Sequence, residues 1–266
     1  MAVTPIVTRA VLECPRCGAW AMDLLPGIGD AGYYKSKPQS DHVILETGVS
    51  RFRQVHRAVA DALGREPVSV LDVGSAEGGH LAVYPDSVRK LAVEPSDSAI
   101  EALARRGITW LGPSLTHAAG ATAEAVTCID VLEHVPDPLA LLRDLDAAVQ
   151  PGGVLVLVTG DSTSIPARMA GRRWQYISLP EHTSVFRWDS LKPILVDDLG
   201  YRVIKRTSIA NEDPNLRYFA RFALGAIREG VFRLLGTTTM RRIEAENRAW
   251  FPFFFDNLMV VLRKDA

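Results

Sequence analysis

The stretch that decides the fold runs from Val68 to Gly79 and reads Val-Ser-Val-Leu-Asp-Val-Gly-Ser-Ala-Glu-Gly-Gly. A β-branched run that ends at Gly74 is typical of a buried strand, and the small residues after it predict a tight turn into a helix. In such a turn a ligand can approach the backbone closely, and amide groups at the helix start remain free to bind it. The stretch therefore predicts the first strand of an α/β domain followed by a ligand-binding loop.

Strands and helices alternate along the rest of the chain. Asp137 and Pro138 are typical of a helix start, and Asp189 is expected to cap a later helix. Such alternation predicts a doubly wound, mainly parallel, seven-stranded sheet that binds ligands at the carboxyl ends of its strands. The other six strands are expected at 91–94, 108–111, 125–131, 154–159, 201–209 and 257–263.

The chain divides into two predicted regions. Residues 1–66 form a lead-in that ends in a helical cap, and residues 67–266 form the main domain. A helical insert is expected at about 212–250, before the last strand, with an apolar stripe opposite several arginines. Two interpretations stay open: a lid or homodimer element over the site, or a 215–235 helix in peripheral contact with a membrane.

Composition narrows the classes of function. The 266 residues are 47% hydrophobic with a net charge of −1, which is typical of a globular protein. A protein that binds nucleic-acid phosphates would usually be more basic, so no nucleic-acid partner is predicted. Three cysteines, together with the lack of a charged-then-apolar leader, indicate a reducing cytoplasm. Cys14 and Cys17 have the spacing of half a zinc knuckle, and His42 could be a third ligand. No fourth ligand is evident, so a plain turn and no metal are expected.

The loop after the first strand is paired with a carboxylate. Glu94 ends the second strand, where an acid can accept hydrogen bonds from both ribose hydroxyls. A dinucleotide fingerprint needs glycine where this chain has Ala76, and Asp72 is unfavourable beside a phosphate. An acid at that point suits a cationic ligand such as S-adenosylmethionine. An NAD-linked oxidoreductase is thus the disfavoured alternative from another class.

Five segments together resemble the class I S-adenosylmethionine-dependent methyltransferases, which have a Rossmann-like fold. The segment Trp174-x-Tyr176-x3-Pro180-Glu181-His182 is similar to a bacterial subgroup that modifies sugars and natural products, near the ubiquinone-type O-methyltransferases. The resemblance covers approximately residues 50–210 and the last strand. The other four segments are 71–78, 93–96, 129–138 and 151–153.

The resemblance implies a set of residues around S-adenosylmethionine. The methionine part is expected beside the loop, the adenosine after the second strand, and the sulfonium above the start of the loop after the fourth strand. The residues expected beside the methionine part are Asp72, Gly74, Ser75, Ala76 and Gly78. Those beside the adenosine are Glu94, Pro95 and Ser96, and those under the sulfonium are Asp130, Val131 and Leu132.

Two histidines are the candidates for a general base. His134 and His182 lie on the loops after the fourth and fifth strands, and imidazole suits proton transfer near neutrality. His182 is preferred, although structural roles for both stay open. Residues expected to bind the acceptor are Tyr33, Tyr34, Asp161, Trp174 and Glu181.

These observations predict a cytoplasmic biosynthetic methyltransferase with a small-molecule acceptor. The resemblance to the sugar and natural-product subgroup favours O-methylation of a sugar, a lipid-linked sugar or a natural product. N-methylation of an amino sugar or small amine is the near alternative, since it needs a weaker base.

Overall fold

The computed structural model describes residues 10–23, 31–36, 49–170, 174–209 and 256–266. The expected insert at 212–250, with its 215–235 helix, lies outside these residues. Among the helices within the described ranges, none combines the length and the apolar character needed to cross a membrane.

Ten strands and seven α-helices make up the described structure. The strands are β1 Val11–Glu13, β2 Trp20–Met22, β3 Ser69–Val73, β4 Arg89–Val93, β5 Thr109–Gly112, β6 Ala123–Ile129, β7 Val149–Gly160, β8 Ser184–Val185, β9 Arg202–Ile209 and β10 Asn257–Arg263. The helices are α1 Ala31–Ser36, α2 Val49–Leu63, α3 Asp97–Arg105, α4 Pro138–Ala148, α5 Ile165–Ala170, α6 Gln175–Ser178 and α7 Trp188–Lys192. A 3₁₀ turn covers Leu81–Val83, and a π-helix covers Pro193–Asp198.

Seven strands form one sheet in the order β5-β4-β3-β6-β7-β10-β9. The pairs among β3 to β7 are parallel, and β10 runs antiparallel to both β7 and β9. The seven-stranded, mainly parallel prediction is confirmed. Strand order reverses between β3 and β6, so the carboxyl ends of these strands flank the crevice in which this architecture binds ligands.

Helices cover both faces of this sheet. On one face α2 contributes Val55 and Val59 to the core, and on the other α4 contributes Leu142 and Leu145. Residues Val154 to Gly160 of β7 are all buried, as expected for a central strand with helices on both sides. The sheet is therefore a rigid base for the loops at its carboxyl edge.

The two predicted helix caps have different outcomes. The Asp137 carboxylate accepts a hydrogen bond from Ala140 N at 2.9 Å and caps α4 as expected. The prediction that Asp189 caps a helix is wrong. Helix α7 begins at Trp188, so Asp189 lies within it and the N-cap is Arg187. Ser190 Oγ accepts a hydrogen bond from Arg187 N at 3.1 Å and satisfies that amide, so the cap forms without Asp189.

A second, three-stranded sheet joins the N-terminal region to the main domain. Its order is β1-β2-β8, with Trp20 opposite Val185, and Met22 N also donates to Thr183 O at 2.9 Å. The predicted boundary at residue 66 is thus crossed by strand pairing. This sheet was not predicted, because strands of two or three residues carry no readable alternation.

Candidate active site

The loop after β3 requires glycine at two positions. Gly74 has a φ of +76°, and a Cβ there would lie 2.3 Å from Val131 Cγ2. Gly78 has a φ of +79°, and a Cβ there would lie 2.4 Å from Ile108 Cδ1. Both the backbone conformation and the contacts exclude a side chain. The loop is therefore held against the beginning of the loop after β6.

Glu94 connects this loop with the end of β4. Its Oε2 accepts a hydrogen bond from Ala76 N at 2.7 Å, and its Oε1 accepts one from Ser96 N at 2.9 Å. Trp110 Nε1 donates to the Glu94 carbonyl at 3.0 Å. Burial raises the pKa of Glu94, and the two amide donors partly offset that rise. Each carboxylate oxygen retains a lone pair for a further donor.

Asp72 has protein partners in addition to any ligand it binds. Its Oδ1 accepts a hydrogen bond from Thr127 Oγ1 at 2.6 Å and lies 3.4 Å from His80 Nδ1. The Asp72 residue is 3% exposed. Direct contact between Asp72 and a cationic ligand stays a prediction, and the structure adds Thr127 and His80 as groups that hold the carboxylate in place.

Two buried side-chain oxygens lie just after the carboxyl ends of β3 and β6. Within the described part of the chain, Ser75 Oγ and Asp130 Oδ1 have no hydrogen-bond partner. Asp130 also has a positive φ, +52°, which is unusual for a non-glycine residue. Buried polar atoms are normally satisfied, so a ligand with donor groups fits here. The methionine amino group and ribose hydroxyls of S-adenosylmethionine are such donors, and the residues present fit this cofactor.

Arg51 of α2 pairs with Asp130, which directly follows β6, and this role was missed by sequence reasoning. Its Nη1 donates to Asp130 Oδ2 at 2.6 Å, and the Arg51 side chain is 5% exposed. Arg51 precedes the buried Val55 by four residues and so lies on the buried face of the helix. In the sequence, the signal for this role was a basic residue at a position on the buried face of the helix.

Replacing Arg51 with methionine is expected to destabilise the protein by about 2 kcal/mol. Removing one partner of a buried ion pair usually costs about 3–5 kcal/mol, and the cost is smaller here because the Asp130 side chain is 31% exposed. Urea denaturation measures the loss. Arg65→Met is the matched control, because Arg65 pairs with Glu124 at an exposed site. Equal stability of the two variants would contradict the prediction.

The two candidate bases lie side by side. The His134 and His182 rings are 4.6 Å apart and meet edge to face. Tyr34 Oη lies 3.1 Å from His134 Nδ1, and Tyr33 Oη donates to Glu181 Oε1 at 3.0 Å. Residues that are far apart in sequence thus form one cluster under α1. Five of the seven predicted catalytic and acceptor residues belong to this cluster: Tyr33, Tyr34, His134, Glu181 and His182.

A buried carboxyl group lies beneath the histidines. Glu133 is 0% exposed, accepts a hydrogen bond from Thr159 Oγ1 at 2.8 Å, and accepts a short one from the Tyr176 hydroxyl. Burial raises the pKa of Glu133 to about 8. The Tyr176 ring in turn lies 4.1 Å from the His182 ring. Sequence reasoning named neither Glu133 nor Tyr176 as a site residue.

Glu133, His134 and His182 also have the donor set of a metal site. One ligand atom from each lies within 4.8 Å of the others, and a carboxylate with two imidazoles suits several divalent cations. Both Glu133 oxygens already accept hydrogen bonds, so a cation would compete with Tyr176 and Thr159. The expectation that no metal is bound stays a prediction.

Glu133 gives the stability a defined pH dependence. The folded state keeps a proton on this carboxyl up to about pH 8, whereas the unfolded chain loses it near 4.5. This contribution to stability is complete below about pH 4.5 and is lost as the pH rises towards 8. Relative to Glu133→Gln, the wild type should therefore lose stability progressively as the pH rises across that window. Urea denaturation at several pH values tests this, and parallel stability curves would contradict it.

Three predicted residues have roles in the surrounding structure. Asp161 Oδ1 accepts hydrogen bonds from Thr163 N at 2.8 Å and Thr163 Oγ1 at 2.6 Å, so it shapes the turn before α5. Trp174 is 1% exposed and stacks on Tyr176, and Leu132 is 1% exposed within the main core. Direct ligand contacts by these side chains stay predictions.

Comparisons with known proteins identify the family of this chain. A family model described as a methyltransferase domain matches residues 49–206, which is more than half of the chain. A ubiquinone biosynthesis O-methyltransferase from Xanthomonas campestris is 42% identical over 72 residues, which are 26% of this chain and 30% of that protein. The chain thus matches less than a third of the length of this curated relative.

Solved structures show the same fold at low sequence identity. The plantazolicin methyltransferase BpumL, in complex with S-adenosylhomocysteine, has a TM-score of 0.56 at 15% identity over 89% of this chain and 94% of that one. The N-methyltransferase NodS from Bradyrhizobium japonicum, in complex with the same molecule, has a TM-score of 0.55 at 12% identity over 89% and 97%.

The fold is that of a Rossmann-like α/β protein, with a glycine loop at the crevice where this architecture binds ligands. The chain belongs to the class I S-adenosylmethionine-dependent methyltransferase family. The cofactor of this family is S-adenosylmethionine.

Proposed function

We propose that the protein transfers a methyl group from S-adenosylmethionine to a hydroxyl oxygen of a small acceptor. The pair His134 and His182 carries this proposal, because it lies at the same edge of the sheet as the glycine loop after β3. When bound, the cofactor supplies an electrophilic methyl group on a sulfonium leaving group. A hydroxyl acceptor must also lose its proton, and a neutral imidazole can take it.

Glu94 and the loop after β3 position the cofactor in this proposal. Glu94 accepts hydrogen bonds from the ribose hydroxyls. Two backbone amides donate to its carboxylate and hold it in a fixed orientation for this contact. Ser75 Oγ and Asp130 Oδ1 bind the methionine part in this proposal. Its amino group can donate hydrogen bonds to these two atoms, which have no partner in the described part of the chain. Because these groups are held in place before binding, little conformational freedom is lost when the cofactor enters.

His182 is the proposed base, and His134 is the proposed positioning residue. The Tyr34 hydroxyl already contacts His134 Nδ1, whereas His182 is 4% exposed and lies between His134 and Tyr176. The acceptor proton moves to His182 as the O–CH₃ bond forms and the S–CH₃ bond breaks, which leaves a methyl ether and S-adenosylhomocysteine.

The acceptor proposed is a sugar, a lipid-linked sugar or a hydroxylated natural product. Tyr33, Tyr34 and Glu181 supply aromatic faces and a carboxylate beside the histidines. Such a surface suits a ring that carries several hydroxyl groups. The partial match to a ubiquinone biosynthesis O-methyltransferase also supports an oxygen acceptor. A cytoplasmic location is part of this proposal.

Mass spectrometry tests the proposal with a panel of acceptors. The enzyme is incubated with S-adenosylmethionine and matched phenols, sugars, amino sugars and amines, and the site of methylation is read from product fragments. Methyl ethers formed by the wild type, and lost in His182→Ala, are the expected result. Methylamines formed equally well by the wild type and His182→Ala would establish the N-methyltransferase alternative instead, since an amine lone pair needs no strong base.

A further inference from the structure

The turn between β1 and β2 has a defined backbone geometry. Cys14 N donates to Ala19 O at 2.8 Å, and Gly18 N donates to Cys14 O at 2.8 Å. Gly18 has a φ of +69°, and a Cβ there would lie 2.7 Å from Arg187 Nη1. This positive φ favours glycine at position 18, which closes the sequence Cys-Pro-Arg-Cys-Gly.

The turn holds two thiols together at the surface. The backbone N–H groups of Arg16 and Cys17 donate to the Cys14 sulfur, and the two thiols also hydrogen-bond to each other. Cys14 is exposed and Cys17 is half-buried. Both sulfurs are therefore accessible and arranged to act as a bidentate ligand.

One chain cannot complete a tetrahedral sulfur site. A structural zinc site takes four ligands, commonly in Cys-x₂₋₄-Cys pairs. The sequence contains three cysteines, and the third, Cys128, is 1% exposed in the core strand β6. We propose that Cys14 and Cys17 form half of a tetrathiolate Zn²⁺ site, and that the same pair from a second copy of this chain supplies the other half.

The surface beside the thiols fits such a second copy. Within the described ranges, β1 is an edge strand of the three-stranded sheet, and Leu12 on it is 67% exposed. An exposed edge with a large apolar side chain can pair with another chain. Each thiol that ligates the metal loses its proton, so Zn²⁺ binding by two protonated pairs releases up to about four protons.

Zinc content and oligomeric state, measured on the full chain purified under reducing conditions, test the proposal. We expect one Zn²⁺ per two chains, a dimer in native mass spectrometry, and dissociation to monomers when the metal is chelated. Co²⁺ substitution should give the absorption spectrum of a tetrathiolate site. Cys14→Ser and Cys17→Ser should each lose metal and dimer together, whereas Cys128→Ala should keep both.

Other outcomes overturn the proposal. One Zn²⁺ per monomer, with loss of the metal in His42→Ala, would show that ligands from the same chain complete the site. Absence of bound zinc in the folded protein, or a Cys14–Cys17 disulfide formed in its place, would show that the turn is not a zinc half-site. Because the Co²⁺ spectrum is recorded on the wild type, the test does not depend on whether the serine variants fold.

Discussion

Replacing Glu94 with alanine is expected to weaken S-adenosylhomocysteine binding by about 100-fold, or about 2.7 kcal/mol. The wild-type carboxylate holds Ala76 N and Ser96 N at 2.7 and 2.9 Å and retains lone pairs for two ribose hydroxyls. Hydrogen bonds to a charged group contribute about 1.5–3 kcal/mol each, and alanine would also leave both amides without their acceptor. Isothermal titration calorimetry measures the affinity.

Two further variants define the origin of the Glu94 effect. Glu94→Gln should be intermediate, because its amide group can accept from one backbone amide but presents N–H₂ to the other. Glu101→Ala is the matched control, since Glu101 is an exposed glutamate of α3 paired with Arg105. Wild-type affinity in a folded Glu94→Ala protein would show that the ribose binds elsewhere.

Replacing His182 with alanine is expected to lower kcat by about 10³-fold while S-adenosylhomocysteine affinity stays within about twofold. General-base catalysis contributes about 10²–10⁴-fold, and no cofactor contact is assigned to this ring. Stopped assays with the identified acceptor measure turnover, and calorimetry measures affinity. The acidic limb of the wild-type pH–rate profile should disappear in the variant.

Two controls separate proton transfer from packing. His134→Asn, at the positioning residue, should lower turnover less than His182→Ala and should keep a pH-dependent rate. His117→Ala, at an exposed histidine that bonds to Ser114, should behave as wild type. If His182→Ala retains turnover with an unchanged pH profile, His182 has a packing role only, and the base must be another group.

Much of the sheet could be predicted because its strands have unambiguous local patterns. The expected last strand, 257–263, coincides with β10, and the observed β3 begins at Ser69, one residue after the expected start. The glycine loop was predictable for a similar reason, since positive φ at Gly74 and Gly78 restricts the residue type. Signals of this kind are contained in a few consecutive residues.

The parts of the site that were missed depend on contacts between distant segments. Arg51 meets Asp130 across 79 positions, and Tyr176 meets Glu133 across 43. No local pattern reveals which buried carboxyl a distant side chain will reach. The pair Tyr34 and His134 was predicted in part. Both residues were predicted as site residues, but the contact between them was not.

Calorimetric titration of the wild-type protein with S-adenosylhomocysteine and, separately, with NADH tests the central account most directly. The structure predicts saturable binding of S-adenosylhomocysteine at one site per chain and no measurable heat with NADH. The opposite pattern, NADH bound and S-adenosylhomocysteine rejected, would show that the loop from Asp72 to Gly78 holds a diphosphate and would contradict the proposed activity.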